Sequence, residues 1–271
     1  MRRLTDAERL LQGYGVREPK HIDLEAIAWD LGAFVKYGRI DGCEARIVGA
    51  PTRAVITIDP STGETRARFS LGHELGHWRR HRGEVLMCDK GMIGSMEQAS
   101  HKEREADQYA ADILMPHYIF EPMARSFDKP SFCSIDELST AFQTSRKATA
   151  RQFVNMNTCP CIVICHGSRG RLWFHRSDSW PKRWFPKDEL DPQCDAFDLV
   201  YGQGSGSEAT HRCLSPADAW FDQPDAEACE VWSHSVVTGV RREGEAREVL
   251  TLIFPKSPSM MDDVGYRNRG W

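Results

Sequence analysis

The chain switches between two hydrophobic periods, and the switches mark its elements. Thr5 to Gln12 and Asp23 to Asp30 read as short helices. Thr5 with Glu8 three residues on has the form of a capping box; Gly13 and Gly15 close the first helix and Gly32 the second. Ala33 to Tyr37, Ala45 to Val48 and Ala54 to Ile58 read as strands, and Pro60-Ser61-Thr62-Gly63 as a turn. Helical spacing returns over Arg66 to Trp78 and from Glu103 to Met115, where Pro116 ends it. Ser134, as cap, opens a helix to Phe142 with Glu137 in the capping-box position, and Arg146 to Met156 forms a second helix after the turn Gln143-Thr144-Ser145. Beyond Thr158 the pattern predicts two hairpins. Cys161 to Cys165 and Leu172 to His175 flank Gly167 and Gly170; Glu230 to Val240 and Val249 to Phe254 flank Arg241 to Glu245. The tail from Pro255 to Trp271 is polar and reads as loosely held.

Composition narrows the class. The 271 residues are 41% hydrophobic and 27% charged, ordinary values for a soluble globular protein. A net charge of −4 gives no general reason to bind nucleic acid. The basic start Met1-Arg2-Arg3 has no apolar stretch after it, so no secretory signal is expected, and no apolar run approaches the ~20 residues of a membrane span. The nine cysteines are irregularly spaced and read as reduced thiols in the cytoplasm. Cys159-Pro160-Cys161 and Cys165-His166 cluster, but lack a second pair of ligands and alternate along a strand, which argues against a second zinc site. Six of the eight tryptophans lie in this last part and are expected mostly in its core.

The chemistry is concentrated in His73-Glu74-Leu75-Gly76-His77. Two histidines four apart on a helix differ by about 40° around it and ~6 Å along it, so both imidazoles can reach one metal ion. Glu74 lies beside them, placed to take a proton from a water that the metal acidifies toward a pKa of about 7. Gly72 and Gly76 share a face, which suits close approach of another backbone. Catalytic zinc wants a third protein ligand. His81 would lie about 12 Å along an unbroken helix from His73, too far to share the ion. The motif H-E-x-x-H-x-x-G-x-x-H does not fit either, because Arg80 and Gly83 stand where it wants glycine and histidine.

Glu103 is the better third ligand. It shares a helical face with Ala106, Asp107, Ala110, Ile113 and Leu114, and two acids on that small apolar face would need partners if buried. Asp107, one turn on, would accept the outer N–H of a ligating histidine. Glu105 is the rival, about 200° around the helix from Glu103. Cys88, between the two helices, is a further zinc-proximal thiol to consider. Arg79, Arg80, His81 and Arg82 favour the negative end of the helix dipole. His101, Tyr109 and these arginines are open candidates for stabilising an oxyanion.

The motif His73-Glu74-Leu75-Gly76-His77, its lead-in Arg68 to Gly72, the stretch Ile22 to Ala28, and Glu103-x-x-Ala106-Asp107-x-Tyr109-Ala110-Ala111-x-Ile113-Leu114-Met115-Pro116 together resemble the ImmA/IrrE metallopeptidases. The resemblance is strong from Ile22 to Pro116 and weaker beyond. It implies an α+β chain in three parts: a zincin-like metallopeptidase domain with a small mixed sheet over 1–126, a helix-turn-helix-like segment over 127–157, and a C-terminal α+β domain over 158–271 similar to the sensor-like one of IrrE. It implies a gluzincin-like Zn2+ site with Glu103 as ligand, and a protein substrate that is a DNA-binding transcriptional repressor, cleaved to release stress-response or mobile-element genes. In such peptidases an edge strand pairs with the substrate, a role that falls here on Ala54 to Ile58. Only Arg146, Lys147 and Arg151 are basic on the second helix of 134–156, so packing is preferred there to nucleic-acid binding. The rival reading is a non-catalytic repressor- or DNA-binding regulator on a zinc-stabilised scaffold; Glu74 argues against it, since a structural site needs no base.

Overall fold

A computed structural model describes residues 2–82, 96–202, 208–238 and 247–261. The fold is α+β and, among the described residues, holds eight α-helices, a three-stranded mixed sheet and a five-stranded antiparallel sheet. The chain divides into two compact units, Met1–Met123 with Leu138–Ser145 and Ala124–Glu137 with Arg146–Trp271.

In the first unit, α1 (Asp6–Gly13) starts as expected. The Thr5 side chain accepts from Glu8 N and the Glu8 carboxylate accepts from Thr5 N. Such caps contribute about 1 kcal/mol. Glu8 is also almost wholly buried, and its other contacts explain why: it accepts from Arg2 and from the backbone N–H of His117, at the start of a later helix. Asp23 caps α2 (Leu24–Asp30), which ends at Gly32 in the left-handed conformation (φ 77°).

Strands β1 (Ala33–Tyr37), β2 (Ala45–Gly49) and β3 (Ala54–Ile58) form a sheet in the order β1-β3-β2, with β1 parallel and β2 antiparallel to β3. Alternate residues Ala45, Ile47, Ala54, Ile56 and Ile58 are buried, while Val48 and Val55 face outward, the period-2 signature of a sheet covered on one face. Ala54 to Ile58 is therefore the central strand, paired on both sides. It cannot take the edge-strand role expected from the sequence; among these strands the edges are β1 and β2. Strand order depends on pairing between distant segments, which periodicity does not carry.

Helix α3 (Glu64–Arg80) bears the paired histidines, and α4 (Met96–Leu114) packs against it. Gly72 and Gly76 are the contact. A Cβ at Gly76 would stand 2.9 Å from the Cα and 3.0 Å from the carbonyl oxygen of Ala106; one at Gly72 would stand 3.3 Å from the Cα of Ala110. Pro116 separates α4 from α5 (His117–Arg125).

Divisions between the units fall inside α5 and inside α6 (Phe132–Phe142). Helix α6 begins two residues before the predicted cap. Ser131 Oγ accepts from Cys133 N, and Ser134 Oγ accepts from Ser131 N, so the two serines bracket the start and Ser131 takes the capping position. In the second unit, α7 (Arg146–Asn155) spends its basic residues internally. Arg146 bonds Asp136, Lys147 pairs with Glu248, and Arg151 lies over the Trp173 ring at 3.9 Å.

The five-stranded sheet runs β5-β4-β8-β7-β6, with β4 (Ile162–Gly167), β5 (Gly170–Arg176), β6 (Cys213–Pro216), β7 (Glu230–Thr238) and β8 (Glu248–Pro255); α8 (Phe197–Tyr201) precedes β6. Both expected hairpins are present as β4–β5 and β7–β8. The core holds Trp180, Trp184, Trp220 and Phe221 with Ile162, Ile164 and Ile253. The described start of the tail, to Met261, is less loose than its polarity suggests: Met260 is buried and its carbonyl accepts from Trp184 Nε1 at 2.9 Å. Among the described residues no helix is long and apolar enough to cross a membrane.

Candidate metal centre

Helix α3 delivers two imidazoles to one stripe, and its two glycines let α4 come close enough to bring a carboxylate over them. His73 Nε2 and His77 Nε2 lie 3.0 Å apart. The Glu103 carboxylate closes the group, 3.2 Å from His73 Nε2 and 3.4 Å from His77 Nε2. Three polar groups aimed at a common point fit a shared cation. A four-coordinate ion with bonds of about 2.0–2.2 Å has ligand–ligand edges of about 3.3–3.5 Å, close to the observed separations. Among the described residues, His73, His77 and Glu103 form the group that could hold a metal ion.

The remaining predicted residues fall at different distances from this point. Asp107 Oδ1 lies 2.8 Å from His73 Nδ1, the outer nitrogen of that ring. Glu74 is buried on α3, only 3% exposed, and its negative charge acts on His73. Glu105 is carried elsewhere: it meets His81 Nε2 and His101 Nδ1, each at 3.3 Å, and Arg80 at 3.7 Å. Cys88 lies outside the described residues. The two acids differ from expectation in one respect. The side chains of Glu103 and Asp107 are 53% and 57% exposed, so they sit at the rim of the helix contact, while Ala106, Tyr109, Ala110 and Ile113 lie within it.

Sequence reasoning missed the use of His81. It is buried, 6% exposed, and its Nδ1 lies 3.1 Å from His77 Nδ1. The i, i+4, i+8 series of histidines was the available signal. The basic cluster after Trp78 is largely engaged internally: Arg79 pairs with Asp6, Arg80 with Glu105, and Arg82 covers the Trp78 ring. Tyr109 is fully buried, with Arg79 and Asp6 as charged neighbours, and burial pushes its hydroxyl up to about 12.

The electrostatics favour a cation. Burial alone would lower the His73 pKa, but hydrogen bonds to Asp107 and Glu103, with the charge of Glu74, outweigh it and raise the value to about 9. Hydrogen bonds from His73 and His77 hold Glu103 well below the usual carboxylate range, against the effect of its burial. Without a metal, then, His73 keeps a proton at neutral pH. That proton contributes stability below the unfolded value of about 6.5, and the contribution is lost as pH rises through about 9. A metal needs the neutral ring and must displace it. Affinity for a divalent metal is therefore expected to rise about tenfold per pH unit from pH ~7 toward ~9, with about one proton released per ion. Chelator-competition titrations at several pH values test this; a flat dependence would sink it.

The family model of peptidase M78, described as the IrrE N-terminal-like domain, matches residues 28–153. No curated protein matches the chain. A transcriptional regulator from Mycobacterium tuberculosis has a similar structure, with a TM-score of 0.63 and 15% identity over 96% of this chain and 78% of that one. At that identity the likeness is one of fold. Over residues 28–153 the chain is thus similar to the IrrE N-terminal-like domain of peptidase M78.

Proposed function

We propose that this protein is a cytoplasmic zinc endopeptidase that cleaves a DNA-binding transcriptional repressor. The observation that carries the reading is the convergence of His73 Nε2, His77 Nε2 and the Glu103 carboxylate within 3.0–3.4 Å of one another. These three residues would hold the ion and leave a fourth position open, as catalytic rather than structural sites do. Zinc bound there supplies Lewis acidity, polarising a peptide carbonyl and making water a better nucleophile. Glu74 then removes the proton from the attacking water and returns it to the departing amine. Asp107 fixes His73 with its proton on Nδ1, so that Nε2 presents a lone pair. The substrate runs beside β2 in this reading. Arg66, on the same stripe of α3 as His73 and His77, pairs with Glu44, immediately before that edge strand. The repressor as substrate rests on the family resemblance, and the structural neighbour, a transcriptional regulator, is in keeping with it.

Two measurements test the proposal together. Purified protein should contain about one zinc per chain, and a co-expressed DNA-binding repressor should be cut only while the metal is present. Repressor binding or gel-shift activity with no cleavage by the zinc-loaded protein would overturn it in favour of a non-catalytic regulator.

A further inference from the structure

The two imidazoles of the centre are braced differently, and the difference singles out residues with no role so far. His73 Nδ1 meets a carboxylate directly, at Asp107. His77 Nδ1 meets a second imidazole, His81, which in turn meets Glu105. We propose that His81 and Glu105 are positioning residues for the metal ligand His77: one carboxylate sets the tautomers of two histidines in series. This rests on the reading of His73, His77 and Glu103 as a metal centre.

The argument follows the protons. To offer its Nε2 lone pair to a cation, neutral His77 must carry its ring proton on Nδ1. His77 is 3% exposed, so that N–H needs a protein acceptor. His81 Nδ1 lies 3.1 Å from that atom. It can accept only if the His81 proton sits on Nε2, where it donates to Glu105 Oε2 at 3.3 Å. The opposite arrangement fails at both ends. His81 Nδ1–H would donate to His77 and drive the His77 proton onto Nε2, the atom that faces His73 and Glu103. His81 Nε2 would then turn a lone pair toward a carboxylate. Glu105 therefore selects the arrangement that leaves His77 able to ligate.

The backbone allows this geometry because His81 is the first residue past α3. It leaves helical dihedrals (φ −120°, ψ 22°) while its N–H still bonds the His77 carbonyl, so its ring stays beside that of His77, with centroids 5.3 Å apart. On a continued helix it would have been merely one more residue of the stripe. Glu105 has further partners in His101 and Arg80, which hold the carboxylate in place.

The test uses the full chain and zinc alone. Zinc affinity would be measured by chelator competition for the wild type, His81→Ala, His81→Gln and Glu105→Ala. Long-range 15N–1H spectra of the imidazoles would report the tautomers. His81→Ala is expected to bind zinc about 10–100-fold more weakly. His81→Gln, whose amide oxygen can accept from His77 while its NH2 donates to Glu105, is expected to stay within about threefold of wild type. Glu105→Ala, a change at the helix surface that keeps the fold even where His81→Ala does not, is expected to weaken zinc by about three- to tenfold. Zinc-loaded wild type should show His77 protonated on Nδ1. Wild-type affinity in His81→Ala and Glu105→Ala, an equal fall in His81→Gln and His81→Ala, or a bare His77 Nδ1 would each overturn the proposal. A wild type that takes up no zinc is a separate result, which overturns the metal centre itself.

Discussion

Purified Glu74→Gln protein is expected to bind metal as the wild type does and to cleave its protein substrate about 10²–10⁴-fold more slowly. The substitution preserves shape and removes only the ability to take up a proton. That separation is possible because Glu74 lies next to His73 in sequence yet outside the group of atoms that converge on the candidate ion site. It is buried on α3, so its carboxylate is shielded from bulk water, where proton transfer could bypass it. Metal analysis and a cleavage assay on the same preparation decide the point. Cleavage at the wild-type rate would remove Glu74 as the base, while loss of metal together with activity would make it a ligand.

Gly76→Ala should destabilise the protein by about 1–3 kcal/mol and weaken metal binding, even though alanine is the better helix former by about 1 kcal/mol. The new methyl would meet Ala106 Cα at 2.9 Å, Ala106 O at 3.0 Å and Tyr109 Cβ at 3.1 Å. Two of these atoms are backbone, so no rotamer change relieves the contact and α4 must shift. Glu103, one turn before the glycine contact, shifts with it, which couples stability to the site. Gly72→Ala is the internal control. Its nearest neighbours stand at 3.3, 3.4 and 3.5 Å, so better helix propensity and tighter packing should nearly cancel. Denaturant unfolding of the metal-free variants, followed by zinc titration, checks both. Gly76→Ala at wild-type stability would mean that the helices are not pressed together as described.

The contrast between these two glycines marks the limit of what a sequence can say. Both read as a shared helix face suited to close approach, and both meet α4. Only the structure ranks them, because the ranking depends on which atom of α4 lies opposite. The same holds for the acids. Helical spacing separates Glu103 from Glu105 by about 200°, and the structure carries them to different imidazoles. That Glu105 finds a partner in His81 depended on where α3 ends, and a fraying terminus is weakly written in local sequence.

What the chain determined locally was the set of elements and the chemistry on each. The Thr5–Glu8 cap, the three strands of the first sheet, the histidine stripe on α3 and the two C-terminal hairpins all depend on residues within a few positions of one another, where propensity, period and turn chemistry act. What tertiary structure decided was adjacency. It made Ala54–Ile58 a central strand, docked Met260 under Trp184, occupied the basic face of α7 with Asp136, Glu248 and Trp173, and brought Glu105 to His81. Each of these follows from contacts between segments distant in sequence, whose free energies are set by shape and partner rather than by any short-range pattern.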